Sequence, residues 1–382
     1  MTTLNLYTGN RLEELSEALC EVLSDPLGSP IESEVIITQN KGIQKWISME
    51  IAGIHGICAN TSHYYPNDFI DNIFNKIITD IPTPSPYYPE VMTWKIMNCL
   101  PSCINRPGFE VIKNYLDTAG YDLKCYQLSK RIADNFDQYI IFRPEMIFKW
   151  EGGKEKHWQA ELWRELVKDN GKRHRAALFN EFILTIKENV SIRKKLPERI
   201  SVFGVSALPP FHMHFFSFLS DYVQVNLYLM NPCSEYWGDI FSNIQISRTT
   251  AQERKNNLSL EELYIEKGNS LLGSMGILGR DFFELVSEMN FIETNIFKDP
   301  GDKTLLQCIQ SDILNLRNRL EVSDDTISVE KKFIDEHNKP SINVHSCHSP
   351  MREIEVLNDN LLEMFENDPH LKPHDIIVMT PD

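Results

Sequence analysis

The spacing of hydrophobic and polar positions along this chain shows two different periods. Near the N-terminus a strand-like run at 4–7 precedes an amphipathic helix that reaches about residue 23, and a short buried strand follows at 35–37. The next helix carries apolar residues three or four positions apart, which places them on one face: Ile43, Ile47, Ile51 and Ile54. Strand–helix–strand–helix is the pattern that begins a parallel α/β sheet.

The period changes at Pro66 and changes back at Arg199. Between them, helix-like segments such as "NDFIDNIFNKII" and "YQLSKRIADNFDQYIIF" are separated by proline-rich breaks. Buried strand patterns resume in "RISVFGVSAL" and "VQVNLYLMNP", and a last strand–helix–strand pattern follows a charged, polar stretch. We therefore expect an α/β fold in four parts, and a sequence that is a piece of a longer protein: an α/β domain from 1–65 and 198–320, an all-helical insert at 66–197, a linker at 321–340, and the truncated start of another α/β domain at 341–382.

The turn after the second strand raises the question of nucleotide binding. A strand, a turn and a helix form the layout of a P-loop, in which crowded backbone N–H groups, a Lys and a Ser/Thr hydroxyl hold phosphates and Mg²⁺. Here the turn reads "TQNKG" at 38–42, with one glycine and no Gly-Lys-Ser/Thr. The neighbouring strand ends in Gly204, Val205 and Ser206 rather than in an acidic magnesium ligand. An intact ATP site is therefore not expected.

Composition narrows the classes of protein further. The chain has 382 residues, of which 42% are hydrophobic and 24% charged, as in ordinary globular proteins. A net charge of −16 argues against coating nucleic acid by bulk electrostatics. It leaves room for a local basic channel, because residues 164–199 carry ten Lys/Arg against five Asp/Glu. The eight scattered cysteines and the absence of a secretory pattern at the N-terminus predict reduced thiols in a cytoplasmic protein.

Other candidate sites are weaker. The histidine pairs in "HMH" at 212–214 and "HSCH" at 345–348 lack the spacing and the third ligand of a metal centre, so packing or turn roles are favoured. The six tryptophans lie mostly in helical patterns, which favours core packing over nucleobase stacking. Asp134 and Asp137 share one helical face, where a solvated surface is commoner than a functional pair.

Long segments of the chain resemble one known family. They include "ITQNKGIQKWISMEIA", "GICANTSHYYPNDFI", "YQLSKRIADNFDQYIIFRP", "VFGVSALPP", "LLGSMGILGRDFFELVS" and "HSCHSPMREIEVL", in the order that the family has them. On these segments the chain resembles the N-terminal part of the RecC family, the gamma chains of exodeoxyribonuclease V, the RecBCD helicase–nuclease.

The resemblance implies a superfamily 1 helicase-like fold that has lost its ATP site. Residues 34–53 would be the remnant of the P-loop, the helical insert the family's 1B domain, and the segment after residue 340 the start of its 2A domain. It implies a non-catalytic subunit of a bacterial, cytoplasmic, ATP-dependent helicase–exonuclease that acts in double-strand break repair by homologous recombination. The implied partners are RecB-like and RecD-like subunits and DNA, as a duplex end and a 3′-ended single strand, with no membrane. No cofactor is implied in this chain, because ATP and Mg²⁺ are used by the partner subunits.

In the family, the 3′-ended strand crosses a channel in this subunit and is scanned there for the Chi sequence. Ten family positions that line the channel fall on residues of this chain. Half keep the family's residue types: Gln39, Asp134, Asp137, Arg143 and Arg175. The other half depart from them: Lys41, Lys45, Tyr65, Asp71 and Asn135. The two lysines favour phosphate contact over base readout.

Two alternatives stay open beside a subunit that handles DNA. One is a pure scaffold without DNA readout, which the net charge of −16 fits equally well. The other is an enzyme, either an atypical nucleotide hydrolase or a metal-dependent nuclease. The sequence contains no Asp/Glu-Lys nuclease signature, which counts against the nuclease.

Overall fold

The structure, a computed structural model, describes residues 4–29, 31–117, 120–240, 268–317 and 340–380. The chain divides into two compact units, the first made of Met1–Asp299 with Ile313–Asn318 and the second of Pro300–Asp312 with Arg319–Asp382. The predicted linker at 321–340 lies outside the described residues except for its last position.

One parallel sheet organises the first unit. In the part of the chain that the structure describes, it has six strands: β1 (Leu4–Gly9), β2 (Glu34–Thr38), β3 (Thr61–Tyr64), β4 (Arg199–Phe203), β5 (Gln224–Met230) and β6 (Ile292–Asn295). Their order is β3-β2-β4-β5-β1-β6, and every pair is parallel. All five residues of β4 are buried, as expected for a strand that is covered on both faces. The predicted α/β class with a parallel sheet is confirmed.

The described helices of the first unit are α1 (Leu12–Leu23), α2 (Lys41–His55), α3 (Pro66–Ile77), α4 (Pro89–Cys103), α5 (Glu110–Leu116), α6 (Tyr121–Phe142), α7 (Pro144–Glu151), α8 (Trp158–Asn170), α9 (Arg175–Glu188), α10 (Val190–Arg193), α11 (Pro210–Leu219), α12 (Ser270–Met275) and α13 (Ile277–Ser287). The residues described between β3 and β4 form helices and no strand.

The sheet is covered on both faces. Helices α1 and α2 bury their apolar stripes on one face, where Ile47 and Ile51 pack with Phe203. Of the predicted stripe on α2, Ile54 stays 52% exposed in the last turn. Helices α3, α9, α11 and α13 cover the other face in a second cluster that is rich in phenylalanine.

A separate hydrophobic core lies among the helices between β3 and β4. Residues of α4, α5, α6, α7 and α8 form most of it, with Phe136 and Trp163 fully buried. Helices α3 and α9 pack mainly on the sheet instead, and α9 contributes only Ala176 to the helical core. The domain boundaries at 65/66 and 197/198 stay predictions.

The sequence pattern missed two strands of the sheet. It also predicted two strands that do not form in the described residues. The edge strands β3 ("TSHY") and β6 ("IETN") are short and polar, so only their pairing in the sheet identifies them. The described residues of the second unit form α14 (Leu305–Leu314, whose last two residues belong to the first unit), α15 (Pro350–Asn367) and a short 3₁₀ turn. The strands predicted at 341–347 and 374–381 are wrong within residues 340–380, because a strand needs a hydrogen-bonded neighbour and this segment offers none.

Candidate functional site

The turn between β2 and α2 lies beside the end of β4. These two strands are neighbours in the sheet, with Thr38 opposite Phe203 in the parallel register. Carboxyl ends of parallel strands meet at one edge of the sheet, which is where such folds bind ligands. The connection from β2 to α2 consists only of Gln39 and Asn40. Two residues are too few to wrap a phosphate as the longer P-loop does.

Groups of the protein itself occupy the first turn of α2. The Oδ1 atom of Asn40 accepts a hydrogen bond from the backbone N–H of Ile43 at 2.9 Å, so this side chain uses a donor that a phosphate would need. The hydroxyl of Ser206, beyond β4, donates to Oε1 of Gln39 at 3.3 Å. Gly204 has a φ of +64°, and a Cβ atom there would lie 3.1 Å from Ile43. The end of β4 therefore packs closely on the start of α2.

Two free ammonium groups lie next to this turn. Lys41 and Lys45 are one helical turn apart on α2, so their side chains share a face. Both are exposed, and neither has a hydrogen-bond or ion-pair partner among the residues that the structure describes. Together with the exposed Gln39 they form the first cluster of predicted site residues, which we call the α2 cluster.

A second cluster joins three predicted site residues that are far apart in sequence. Arg175, the first residue of α9, donates two hydrogen bonds to Asp71 on α3, at 3.2 and 2.8 Å. The hydroxyl of Tyr88 donates to the same carboxylate at 3.1 Å, and its ring lies 5.9 Å from the guanidinium carbon. The side chains of Arg175 and Asp71 are 16% and 22% exposed. The charge of Arg175 is thus compensated within the protein.

Asp137, on α6, completes this second cluster, the α9 cluster. It lines a cavity of about 70 Å³ with Asp71, Tyr88 and Arg175. Burial raises the pKa of the Asp137 carboxyl, while the positive charge of Arg175 lowers it in part and Asp134 raises it. Within the described ranges Asp137 has no hydrogen-bond partner. It therefore offers free acceptor oxygens to whatever enters the cavity.

His174 fixes the start of α9 and with it Arg175. Its Nδ1 atom accepts from the backbone N–H of Ala177 at 3.4 Å, so the proton lies on Nε2, which donates to Glu151 at 3.0 Å. Burial raises the pKa of Glu151, but hydrogen bonds from His174 and Trp163 outweigh it, so the pKa is lowered. Sequence reasoning missed this pair, since no spacing rule connects positions 151 and 174.

The remaining four predicted site residues belong to neither cluster. Asp134 and Asn135 are exposed on α6, and Tyr65 is half-buried at the start of α3. Arg143 is exposed between α6 and α7, where it lines a larger cavity of about 720 Å³ with an aromatic wall. The ten predicted residues thus form two clusters of three and four separate positions.

The arginines of the basic stretch at 164–199 are engaged within the protein. All five of them bond backbone carbonyls or carboxylates inside the protein: Arg164, Arg173, Arg175, Arg193 and Arg199. A basic channel would therefore have to be lined by other cations than these five arginines, because they already bond groups of the protein.

Three further observations concern His212, metal binding and membrane crossing. His212 is 3% exposed and bonds Asn67 at 2.9 Å, as a packing histidine does. Among the described residues, no group of three or more His, Cys, Asp or Glu is arranged to hold a metal ion. In the same part of the chain, no helix combines the length and the apolar character that crossing a membrane requires.

Comparison with known proteins connects this geometry to a family. The family model described as "RecC, N-terminal domain" matches residues 4–316. The protein described as RecBCD enzyme subunit RecC from Escherichia coli (strain K12) is 35% identical over 99% of this chain, and its counterpart from Haemophilus influenzae is 32% identical over 99%. The counterpart from Mycolicibacterium smegmatis is 27% identical over 99%. The alignments span 37%, 38% and 33% of those relatives' own lengths. The chain therefore belongs to the RecC family and carries that family's N-terminal domain.

Proposed function

We propose that this chain is the N-terminal part of a non-catalytic, DNA-handling and scaffold subunit of a RecBCD-type, ATP-dependent helicase–exonuclease. In this role it guides the 3′-ended single strand and scans it for Chi during double-strand break repair by homologous recombination. The relatives are described as subunits of the RecBCD enzyme, which supports the assignment to such a complex.

One observation carries the proposal: the two-residue connection between β2 and α2 beside the end of β4. The strand order and the position at the sheet edge suit a nucleotide site. The short turn, the Asn40 cap and the absence of a Gly-Lys-Ser/Thr motif do not suit the enclosed phosphates of a bound nucleotide. We infer a superfamily 1 helicase-like fold whose ATP site has been lost.

The α2 cluster supports contact with a DNA backbone. Its two ammonium groups are unpaired and exposed, and most protein–DNA contacts that position the strand go to phosphates. The α9 cluster suits base recognition instead, because the carboxylate of Asp137 accepts hydrogen bonds from base amino groups. Arg175 then orients Asp71 and Asp137 rather than binding phosphate, since its charge is compensated.

The partners in this proposal are RecB-like and RecD-like subunits, a duplex DNA end and its 3′-ended strand. ATP and Mg²⁺ act in the partner subunits, and the complex works in the bacterial cytoplasm.

Nucleotide and DNA binding by the assembled complex test the proposal. We expect Lys41→Ala to leave ATP turnover by the complex unchanged and to weaken binding of single-stranded DNA. Saturable nucleotide binding to this chain alone that is lost in Lys41→Ala would overturn the proposal in favour of an atypical nucleotide hydrolase.

A pure scaffold is the second candidate, and the compensated charge of Arg175 within a chain of net charge −16 favours it. It predicts that neither Lys41→Ala nor Asp137→Asn changes the affinity for DNA, although the complex still assembles.

A further inference from the structure

Trp94 stands apart from the other tryptophans of the chain. Its side chain on α4 is 59% exposed, whereas Trp150, Trp163 and Trp237 are at most 3% exposed. The remaining two, at positions 46 and 158, are half-buried. Exposure of the largest apolar side chain needs a reason, because tryptophan is usually highly buried.

The exposed indole belongs to an aromatic pair. The ring of Trp94 lies 5.4 Å from that of Tyr126 on α6, centroid to centroid, at an interplanar angle of 43°. Tyr126 is half-buried and so backs the indole from the protein side. The indole N–H has no hydrogen-bond partner in the part of the chain that the structure describes. The pair therefore presents an open π surface with a free donor at its edge.

Positive charge accompanies this pair. Lys130 lies one turn beyond Tyr126 on α6 and shares its face, and Arg131 follows directly. Both are exposed, and neither has a partner within the described ranges. Residues 121–131 carry three cations against one acid, inside a chain of net charge −16. Two unpaired cations are thus available to an anionic ligand with an aromatic group.

We infer that Trp94 packed at a tilt against Tyr126, with Lys130 beside them, is a platform for an unpaired nucleobase and its phosphate. Aromatic side chains next to cations are the elements with which proteins hold single strands without reading sequence. Asp137 lies eleven residues beyond Tyr126 on the same helix, about 16 Å along the axis. A single strand of DNA that lies along α6 reaches both the platform and the α9 cluster. The inference rests on the proposed function, which it extends to a site outside both clusters.

The test compares two oligonucleotides of equal length, oligo(dT) and its abasic counterpart, on the assembled complex. Both carry the same phosphates, and only the first has bases to stack. We expect Trp94→Ala to weaken oligo(dT) binding about 5- to 100-fold and to leave the abasic strand unaffected, with Trp94→Phe retaining most of the affinity. Lys130→Gln should weaken both strands and make the salt dependence shallower by about 0.7 in log–log slope.

Leu123→Ala is the matched control, because Leu123 is an equally exposed apolar side chain, 63%, at the start of α6. If the patch were instead covered by another protein surface, Trp94→Ala and Leu123→Ala would both impair assembly of the complex and leave oligo(dT) binding unchanged, which overturns the inference. Equal weakening of oligo(dT) and abasic binding by Trp94→Ala overturns it as well.

A second measurement does not depend on variants. Irradiation of the wild-type complex with an oligonucleotide that carries 5-iododeoxyuridine should cross-link the peptide that contains Trp94, and excess oligo(dT) should suppress this. Cross-links only at other peptides would contradict the platform. If the Trp94 variants leave DNA binding unchanged while Lys41→Ala weakens it, the platform is refuted and the proposed function stands. If the Trp94 variants and Lys41→Ala all leave DNA binding unchanged, the proposed function is refuted too.

Discussion

Replacing Asp71 by Asn keeps the shape of the side chain and removes its charge, which leaves the guanidinium of Arg175 without its hydrogen-bonded counter-charge. The pair shares two hydrogen bonds, at 3.2 and 2.8 Å, and its side chains are only 22% and 16% exposed. Removing one partner of a buried ion pair lowers the free energy of unfolding by roughly 3–5 kcal/mol. Partial exposure screens the pair, so we expect about 3 kcal/mol, the lower end of that range.

A double-mutant cycle measures how much of this cost belongs to the pair. Asp71→Asn, Arg175→Gln and the double variant are unfolded with urea, and the fluorescence of the buried Trp150 and Trp163 reports on the adjacent helical core. We expect the double variant to be less destabilised than the sum of the single variants by at least about 1 kcal/mol. Arg131→Gln is the control, because that arginine is exposed and has no partner among the described residues; its effect should stay within about 0.5 kcal/mol. Strict additivity of the two single effects would refute the reasoning.

Three further predictions concern groups around the two clusters. Burial, and secondly the charge of Arg175, lowers the pKa of His212 to about 4 from 6.5. Because the unfolded chain takes up the proton first as the pH falls, this histidine stabilises the fold fully above pH 6.5, and roughly 3 kcal/mol is lost between pH 6.5 and 4. Unfolding at several pH values should show a flatter profile in His212→Gln but not in the exposed His214→Gln, and equal profiles would contradict the assignment. Gly204→Ala should lower the free energy of unfolding by about 1–3 kcal/mol, because its φ is positive and Ile43 is close. Gly53→Ala, in an open position of α2, should instead raise it by about 0.5–1 kcal/mol; similar signs would refute the strain argument. His174→Ala removes a cap and a donor to Glu151, and thermal or urea unfolding should show a loss of roughly 2–3 kcal/mol. His157→Ala, at a helix start without a side-chain cap bond, should cost far less.

Local pattern was sufficient where the hydrophobic period is strong. The apolar run at 35–37 and the stripe through Ile47 and Ile51 identified β2 and α2, because both elements are buried against the rest of the sheet. The same reasoning missed β3 and β6, which are short, polar edge strands that exist through pairing with one neighbour. It also placed strands in the second unit where no neighbour lies in the described residues.

The α9 cluster could not be assembled from local pattern. Asp71 and Arg175 are 104 positions apart and meet only because α3 and α9 pack on the same face of the sheet. The family resemblance named both residues but did not indicate that they neutralise each other. The exposure of Trp94 could not be predicted from the sequence either, because a tryptophan in a helical pattern is expected to pack in the core.

The central claim is that the region of the β2–α2 turn does not bind a nucleotide and contacts the DNA backbone instead. The salt dependence of single-strand binding by the assembled complex, measured for Lys41→Gln/Lys45→Gln against wild type, tests it most directly. Each lost phosphate contact makes the log–log slope shallower by about 0.7, so we predict a change of about 1.4, with ATP turnover of the complex unchanged. An unchanged slope together with a loss of ATP turnover would contradict the claim.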